Sequence, residues 1–135
     1  MEFKKFLDSL PKNFRHEKTY IAEQNLLDFD KLSNLTDIEI NNILRTSPLC
    51  TLNNLKKIRA IATFKKEIAI PPHEAYLLLH CGVSSVKTLS RLTAYELKQK
   101  IGRLERILRT KTETNITLSV LNEWIKRSKK IQKSI

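Results

Sequence analysis

The chain has 135 residues, of which 41% are hydrophobic and only 7% aromatic, so it can bury a core and must build it mainly from Leu and Ile. Its 2 Gly and 4 Pro supply little turn punctuation, which argues against a sheet of many short strands and for helices. The 25 basic and 14 acidic side chains give a net charge of +11, a balance that suits anionic partners such as nucleic acid or acidic protein surfaces.

In chain order, Phe3, Phe6, Leu7 and Leu10 share a helical face that Pro11 ends, which predicts a short docking helix within residues 1–11. A second helix is expected over 15–24, ended by Asn25, since Asn tolerates a left-handed cap. Asp28 can cap a short helix through Leu32. Thr36 with Glu39 three residues later is a capping-box signature for a helix with Ile40, Ile43 and Leu44 inward. After a turn at 47–50, Thr51 caps a helix whose apolar stripe is Leu52, Leu55, Ile58, Ile61 and Ala62. Lys56, Lys57 and Arg59 point outward there, and Phe64 closes the core. Pro71 or Pro72 opens the next helix, with Ala75, Leu78 and Leu79 inward and Gly82 as its stop. Ser84 or Ser85 caps a short helix carrying Val86 and Leu89. Thr93 and Glu96 then repeat the capping box before a helix running to about Leu108, with Leu97, Ile101, Leu104 and Leu108 inward. Gly102, inside that helix at a cost of ~1 kcal/mol relative to Ala, is expected to mark close packing. Residues 110–116 read as a polar loop. Thr117 caps a last helix with Leu118, Leu121, Trp124, Ile125 and Ser128 inward. Phe3, Phe6, Phe64, Tyr76 and Trp124 are expected in the core; exposed, they would mark a partner site.

The charge is uneven along the chain. Residues 1–40 hold 6 basic and 8 acidic groups, 41–97 hold 8 and 3, and 98–135 hold 11 and 3, so an anion-facing surface is expected toward the C-terminus. Cys50 and Cys81 have no metal-type spacing around them, and two buried thiols in a reducing compartment are expected rather than a disulfide scaffold. The opening residues carry Glu2 and Asp8 and lack a long apolar run. No segment approaches the ~18 apolar residues of a membrane span. The expectation is a protein that is neither secreted nor membrane-bound, lying in a cytoplasm or in an organelle (the stroma, for a plastid-encoded chain). Richness in Lys, Asn and Ile fits an AT-rich bacterial or plastid genome.

Shifting the chain by 57 residues superposes two segments. Leu32, Ser33, Leu35, Thr36 and Glu39 fall on Leu89, Ser90, Leu92, Thr93 and Glu96, His16-Glu17 falls on His73-Glu74, and Asn25 falls on Gly82. After a nine-residue change of offset, Thr51, Leu52, Leu55 and Ile58 fall on Thr117, Leu118, Leu121 and Trp124. The pieces AIPPHEAYLLLHCGVSSVKTLSRLTAYEL and ITLSVLNEWIKRSKK resemble the tandem helix-hairpin-helix repeat family known as domain of unknown function 4332, over roughly residues 12–130. The resemblance implies an all-α bundle of two pseudo-repeated helix-hairpin-helix-like units, of the SAM/helix-hairpin-helix type, and no established activity. The expected organisation is one all-helical domain: the docking helix at 1–11, a degenerate repeat at 12–66, and a second repeat with a basic C-terminal helix at 67–135.

Helix-hairpin-helix units hold DNA through a Gly-apolar-Gly hairpin whose N–H groups meet a phosphate. The matching positions here are Ala69, Ile70 and Pro71, and Lys12, Asn13 and Phe14 in the first copy. Pro71 has no N–H and the Cβ atoms restrict approach, so both hairpins, with the turns at Asn25 and Gly82, are expected to be structural. A separate cationic surface is expected from Lys100, Arg103, Arg106 and Arg109 on one helix and Lys126, Arg127, Lys130 and Lys133 on the last, with Lys129 beside them. A solvated Lys-rich face is the alternative. No aromatic residue interleaves with these charges, which argues against single-strand stacking. His16, His73 and His80 form no zinc-type spacing, and no nucleophile, base and oxyanion donor come together, so no metal, no cofactor and no catalysis are expected. The expected function is a non-catalytic module that contacts nucleic acid non-specifically. The alternative is a protein–protein scaffold whose hairpins serve only the fold.

Overall fold

Polar side chains set where most of these helices begin, by accepting hydrogen bonds from N–H groups that a first turn leaves unpaired. A computed structural model describes residues 2–26, 28–108 and 116–133, with the side chains of all but residues 2, 3, 9, 105–108 and 133. The fold is all-α, with nine helices and no strand among the described residues. Its contacts divide the chain into two units, Met1–His73 and Glu74–Ile135. The first holds α1 (Glu2–Ser9), a 3-10 turn (Lys12–Phe14), α2 (Arg15–Glu23), α3 (Phe29–Ser33), α4 (Asp37–Thr46) and α5 (Leu52–Ile68). The second holds most of α6 (Pro72–His80), then α7 (Val86–Ser90), α8 (Ala94–Leu108) and α9 (Leu118–Lys133).

In the first unit the Asp28 carboxylate accepts from the Asp30 N–H at 2.7 Å, and Thr51 accepts from Asn54 at 3.2 Å. Thr36 and Glu39 form a complete capping box at the start of α4. α3 and α4 both pack on α5. The core beneath them is Phe14, Ile21, Leu32, Ile40, Ile58, Ile61, Phe64 and Ile68, all buried. Each such side chain contributes roughly 1.5–3 kcal/mol on leaving water. Phe6 of α1 meets Phe29 at 5.6 Å between ring centroids, which docks the first helix onto the start of α3. Arg59, half-buried rather than outward, donates to Asp37 at 2.9 Å and to the Leu35 carbonyl at 3.1 Å.

In the second unit, too, hydroxyl side chains cap the helices. Ser85, Thr93 and Thr117 accept from the N–H groups of Thr88, Glu96 and Val120 at 3.1, 3.1 and 3.3 Å. α7 and α8 pack on α9, burying Leu89, Leu97, Ile101, Leu121, Trp124 and Ile125.

The turns after α2 and α6 have similar hydrogen bonds. After α2, the N–H groups of Gln24, Asn25 and Leu26 donate to the carbonyls of Tyr20, Ala22 and Ile21 at 2.9, 3.4 and 3.0 Å, and Asn25 takes φ 56°. After α6, Cys81, Gly82 and Val83 donate to Leu77, Leu79 and Leu78 at 3.2, 3.0 and 2.9 Å, with Gly82 at φ 86°. This left-handed stop closes the last carbonyls of each helix. Ser33 and Ser90 likewise donate to the carbonyls three residues back, at 3.0 and 2.6 Å.

Further expectations need correction, and Leu44, Tyr76, Leu79 and Leu104, expected inward, are half-buried. Leu52 and Leu118 are each 41% exposed, not inward: as first helical residues they lie past the rim of the stripe formed by their later neighbours. Gly102 marks no close packing, because a Cβ built there would meet nothing within 4 Å. Ile116 is buried rather than part of a polar loop. Cys50 is buried but Cys81 only half-buried, and neither is in a disulfide. Residues 110–115 and the side chains of Phe3 and Leu108 lie outside those described.

Candidate functional site

The two amphipathic helices of the second unit fix which charges reach solvent. On α8, Ala94, Leu97 and Ile101 turn inward, and Lys98, Lys100 and Arg103 are exposed. On α9, Leu121, Trp124, Ile125 and Ser128 form the buried stripe, and Lys126, Arg127, Lys129 and Lys130 stand on the opposite side, exposed. The buried Ser128 hydroxyl is satisfied by donating to the Ile125 carbonyl at 2.7 Å. Glu123, Lys126, Arg127, Lys129 and Lys130 line a shallow groove of about 510 Å3. Arg127 donates to Glu123 one turn back at 3.1 Å, which tempers the positive charge of that groove. Arg109 lies outside the described residues, as do the side chains of Arg106 and Lys133.

A hydrogen bond reinforces the packing of α8 against the start of α9. The Lys98 ammonium donates to the Ile116 carbonyl at 2.6 Å and so ties the entry of α9 to α8. Beside that bond runs a second groove of about 530 Å3, lined by Tyr95, Lys98, Gln99, Gly102 and Leu118. The cations of α9 begin at Lys126, eight residues beyond Leu118, or about 12 Å along the helix axis. Tyr95, absent from the expected site, is 69% exposed on the same helix as Lys98, Lys100 and Arg103, which corrects the expectation that no aromatic residue accompanies the cations. Its register shows why: two residues before Leu97, it falls off the inward face.

The hairpin before α6 is built for packing. Ala69 ends α5 in the left-handed conformation, φ 62°, with its N–H donating to Lys65 at 3.2 Å. The Ile70 N–H donates to Phe64 at 3.2 Å and its side chain is fully buried. With both N–H groups turned back onto α5, and with Pro71 and Pro72 having none, the hairpin lacks the donors that would clasp a phosphate. In the first unit, Lys12, Asn13 and Phe14 form the 3-10 turn, and the Phe14 N–H donates to Pro11 at 3.0 Å.

One polar cluster escaped sequence reading. Glu17 is fully buried, accepting from the Thr51 N–H at 3.2 Å and from the Asn54 side-chain amide at 3.0 Å; that amide also donates to the Asn13 carbonyl at 2.8 Å. The carboxylate thus sits at the N-terminus of α5, where the helix dipole favours an anion. Its spacing between Phe14 and Ile21 on the inward face of α2 was the available signal. Burial, and then the charge of Glu17, push the Cys50 thiol above its ordinary pKa, the reverse of what a nucleophile requires. His16, Tyr20 and Glu23 line a cleft of about 200 Å3 with Cys50. Among the described residues no group of three or more His, Cys, Asp or Glu side chains could hold a metal ion. Nor is any of their helices long and apolar enough to cross a membrane.

The model of a family described as a domain of unknown function (DUF4332) matches residues 11–131. No curated protein and no solved structure matches the chain.

Proposed function

For a chain that belongs to the DUF4332 family, we propose the role of a small non-catalytic module that contacts nucleic acid without sequence specificity, through the cations of α8 and α9. The observation that carries this is the run of exposed Lys and Arg on two adjoining helices: Lys100 and Arg103 on α8, then Lys126, Arg127, Lys129 and Lys130 on α9. Each cation that neutralises a phosphate releases a condensed counterion, so affinity comes from charge and falls steeply with salt. Arg103 and Arg127 add planar donors that suit phosphate oxygens better than an ammonium does.

The recurring left-handed stops, hydroxyl caps and buried leucines support reading the two units as tandem helix-hairpin-helix-like repeats. In that architecture the hairpins serve the fold, and binding has moved to the C-terminal helices. Two cysteines outside any disulfide suit a reducing cytoplasm or organelle stroma. A protein–protein scaffold is favoured instead by one feature of the first unit, the exposure of Ile38 and Leu49 at 74% and 67%.

The test is a gel shift at low salt with duplex and single-stranded DNA and RNA. Charge reversal at Lys100, Arg103, Lys126 and Lys130 to Glu is expected to abolish the shift. Wild-type protein that binds none of these, or a reversed variant that binds them all as before, refutes the proposal. A protein partner whose capture survives nuclease treatment would support the scaffold.

A further inference from the structure

Resting on that proposal, we infer that the groove beside Tyr95 is a stacking site for a base of single-stranded nucleic acid. Tyr95, Lys98, Gln99 and Gly102 stand at i, i+3, i+4 and i+7 on α8, which places them along one strip of the helix. Leu118, exposed at the start of α9, forms the facing wall, and the space between is about 530 Å3. A large aromatic side chain left in water at the mouth of such a groove offers a π-face to any base, whatever its sequence.

Gly102 fits the same role. It lies inside an unbroken long helix, and packing does not require it, since a Cβ there would meet nothing within 4 Å. What the glycine does provide is a bare stretch of backbone in the lining of the groove. Gln99 presents both a donor and an acceptor to a base edge. The Lys98 ammonium, held by the Ile116 carbonyl at 2.6 Å, keeps further N–H donors for a phosphate beside the stacked base. Arg103 is exposed one residue beyond the glycine. A base paired within a duplex cannot offer its face to a side chain, so the site selects unpaired strands.

Fluorescence anisotropy on the full chain tests this, with labelled oligo-U, oligo-dT and a short duplex as probes. Tyr95→Ala is expected to weaken both single strands about ten-fold while duplex affinity stays within about two-fold. Tyr95→Phe should bind like wild type, and Gly102→Leu, which fills the groove, should reproduce the loss. Ile38→Ala, at the matching exposed position of the first unit, is the control and should leave all three affinities unchanged. Thermal melts of each variant exclude unfolding as the cause. If wild type binds the probes but Tyr95→Ala and Gly102→Leu bind them equally well, the stacking site is overturned alone and the groove is open to an apolar peptide of a protein partner. If wild type binds no probe at low salt, the proposed function falls with it.

Discussion

Replacing Ala69 with Gly should stabilise the chain, and replacing Gly82 with Ala should destabilise it by a similar amount. Ala69 holds φ 62° because its own N–H and that of Ile70 are committed to the last carbonyls of α5. A residue with a Cβ pays roughly 1–2 kcal/mol for that conformation. Glycine removes the strain but gains freedom in the unfolded chain, which offsets about 0.4–1 kcal/mol. Ala69 is exposed, so its methyl group contributes little packing. The net gain for Ala69→Gly is about 0.5–1 kcal/mol, or roughly 2–4 °C in Tm for a chain of this size. At Gly82, φ is 86° and an added Cβ would meet nothing within 4 Å, so Gly82→Ala should lose about 0.5–1 kcal/mol through backbone strain alone. Gly102→Ala supplies the opposite sign in equally open space, a gain of about 1 kcal/mol from helix propensity. Urea denaturation followed by far-UV circular dichroism measures all three, with an unchanged m-value showing that only stability has moved. A neutral or destabilising Ala69→Gly, or a tolerated Gly82→Ala, would refute the backbone argument.

Glu17→Ala should cost about 2 kcal/mol, because the Thr51 N–H loses its buried acceptor and the start of α5 loses its anion. Glu17→Gln should recover only part, since its amide N–H groups would face the donors of Thr51 and Asn54; a loss below about 0.5 kcal/mol for Glu17→Ala would contradict this role. On the alkaline side, burial raises the pKa of Cys50 and of Tyr76 in the folded chain. The unfolded chain therefore releases those protons first, and stability should be intact below about pH 8.5 and decline as pH rises through the folded pKa values. Cys50→Ala should flatten the lower part of that decline, and a profile unchanged by the substitution would show that the thiol is not its source.

Much of this fold was legible because its signals are local. The capping chemistry of Thr36, Thr51, Thr93 and Thr117 needs no more than a few neighbouring residues, and the tolerance of Asn25 and Gly82 for positive φ is a property of the residue itself. The left-handed turn at Ala69 gave no such sign, since Ala rarely adopts it; the buried aliphatic side chain of Ile70 and the hydrogen bonds back to α5 impose it. Glu17 was missed for a related reason. A carboxylate on an inward face reads as misplaced until Thr51 and Asn54, more than thirty residues away, are seen to satisfy it. Leu52 and Leu118 fit the inward stripe by periodicity, which does not say where a stripe begins to be covered. At the surface, composition located the cations but not the groove. Tyr95 and Leu118 are separated in sequence and become neighbours only once the start of α9 packs against α8.

The salt dependence of binding tests nucleic-acid contact by α8 and α9 most directly. With several of Lys100, Arg103, Lys126, Arg127, Lys129 and Lys130 on phosphates, log K for duplex DNA should fall linearly with log salt, with a slope of about −3 to −5. Lys126→Ala and Lys130→Ala together should reduce the steepness of that slope by about 2. Binding that ignores salt, a slope indifferent to those substitutions, or no binding at the lowest salt would contradict it.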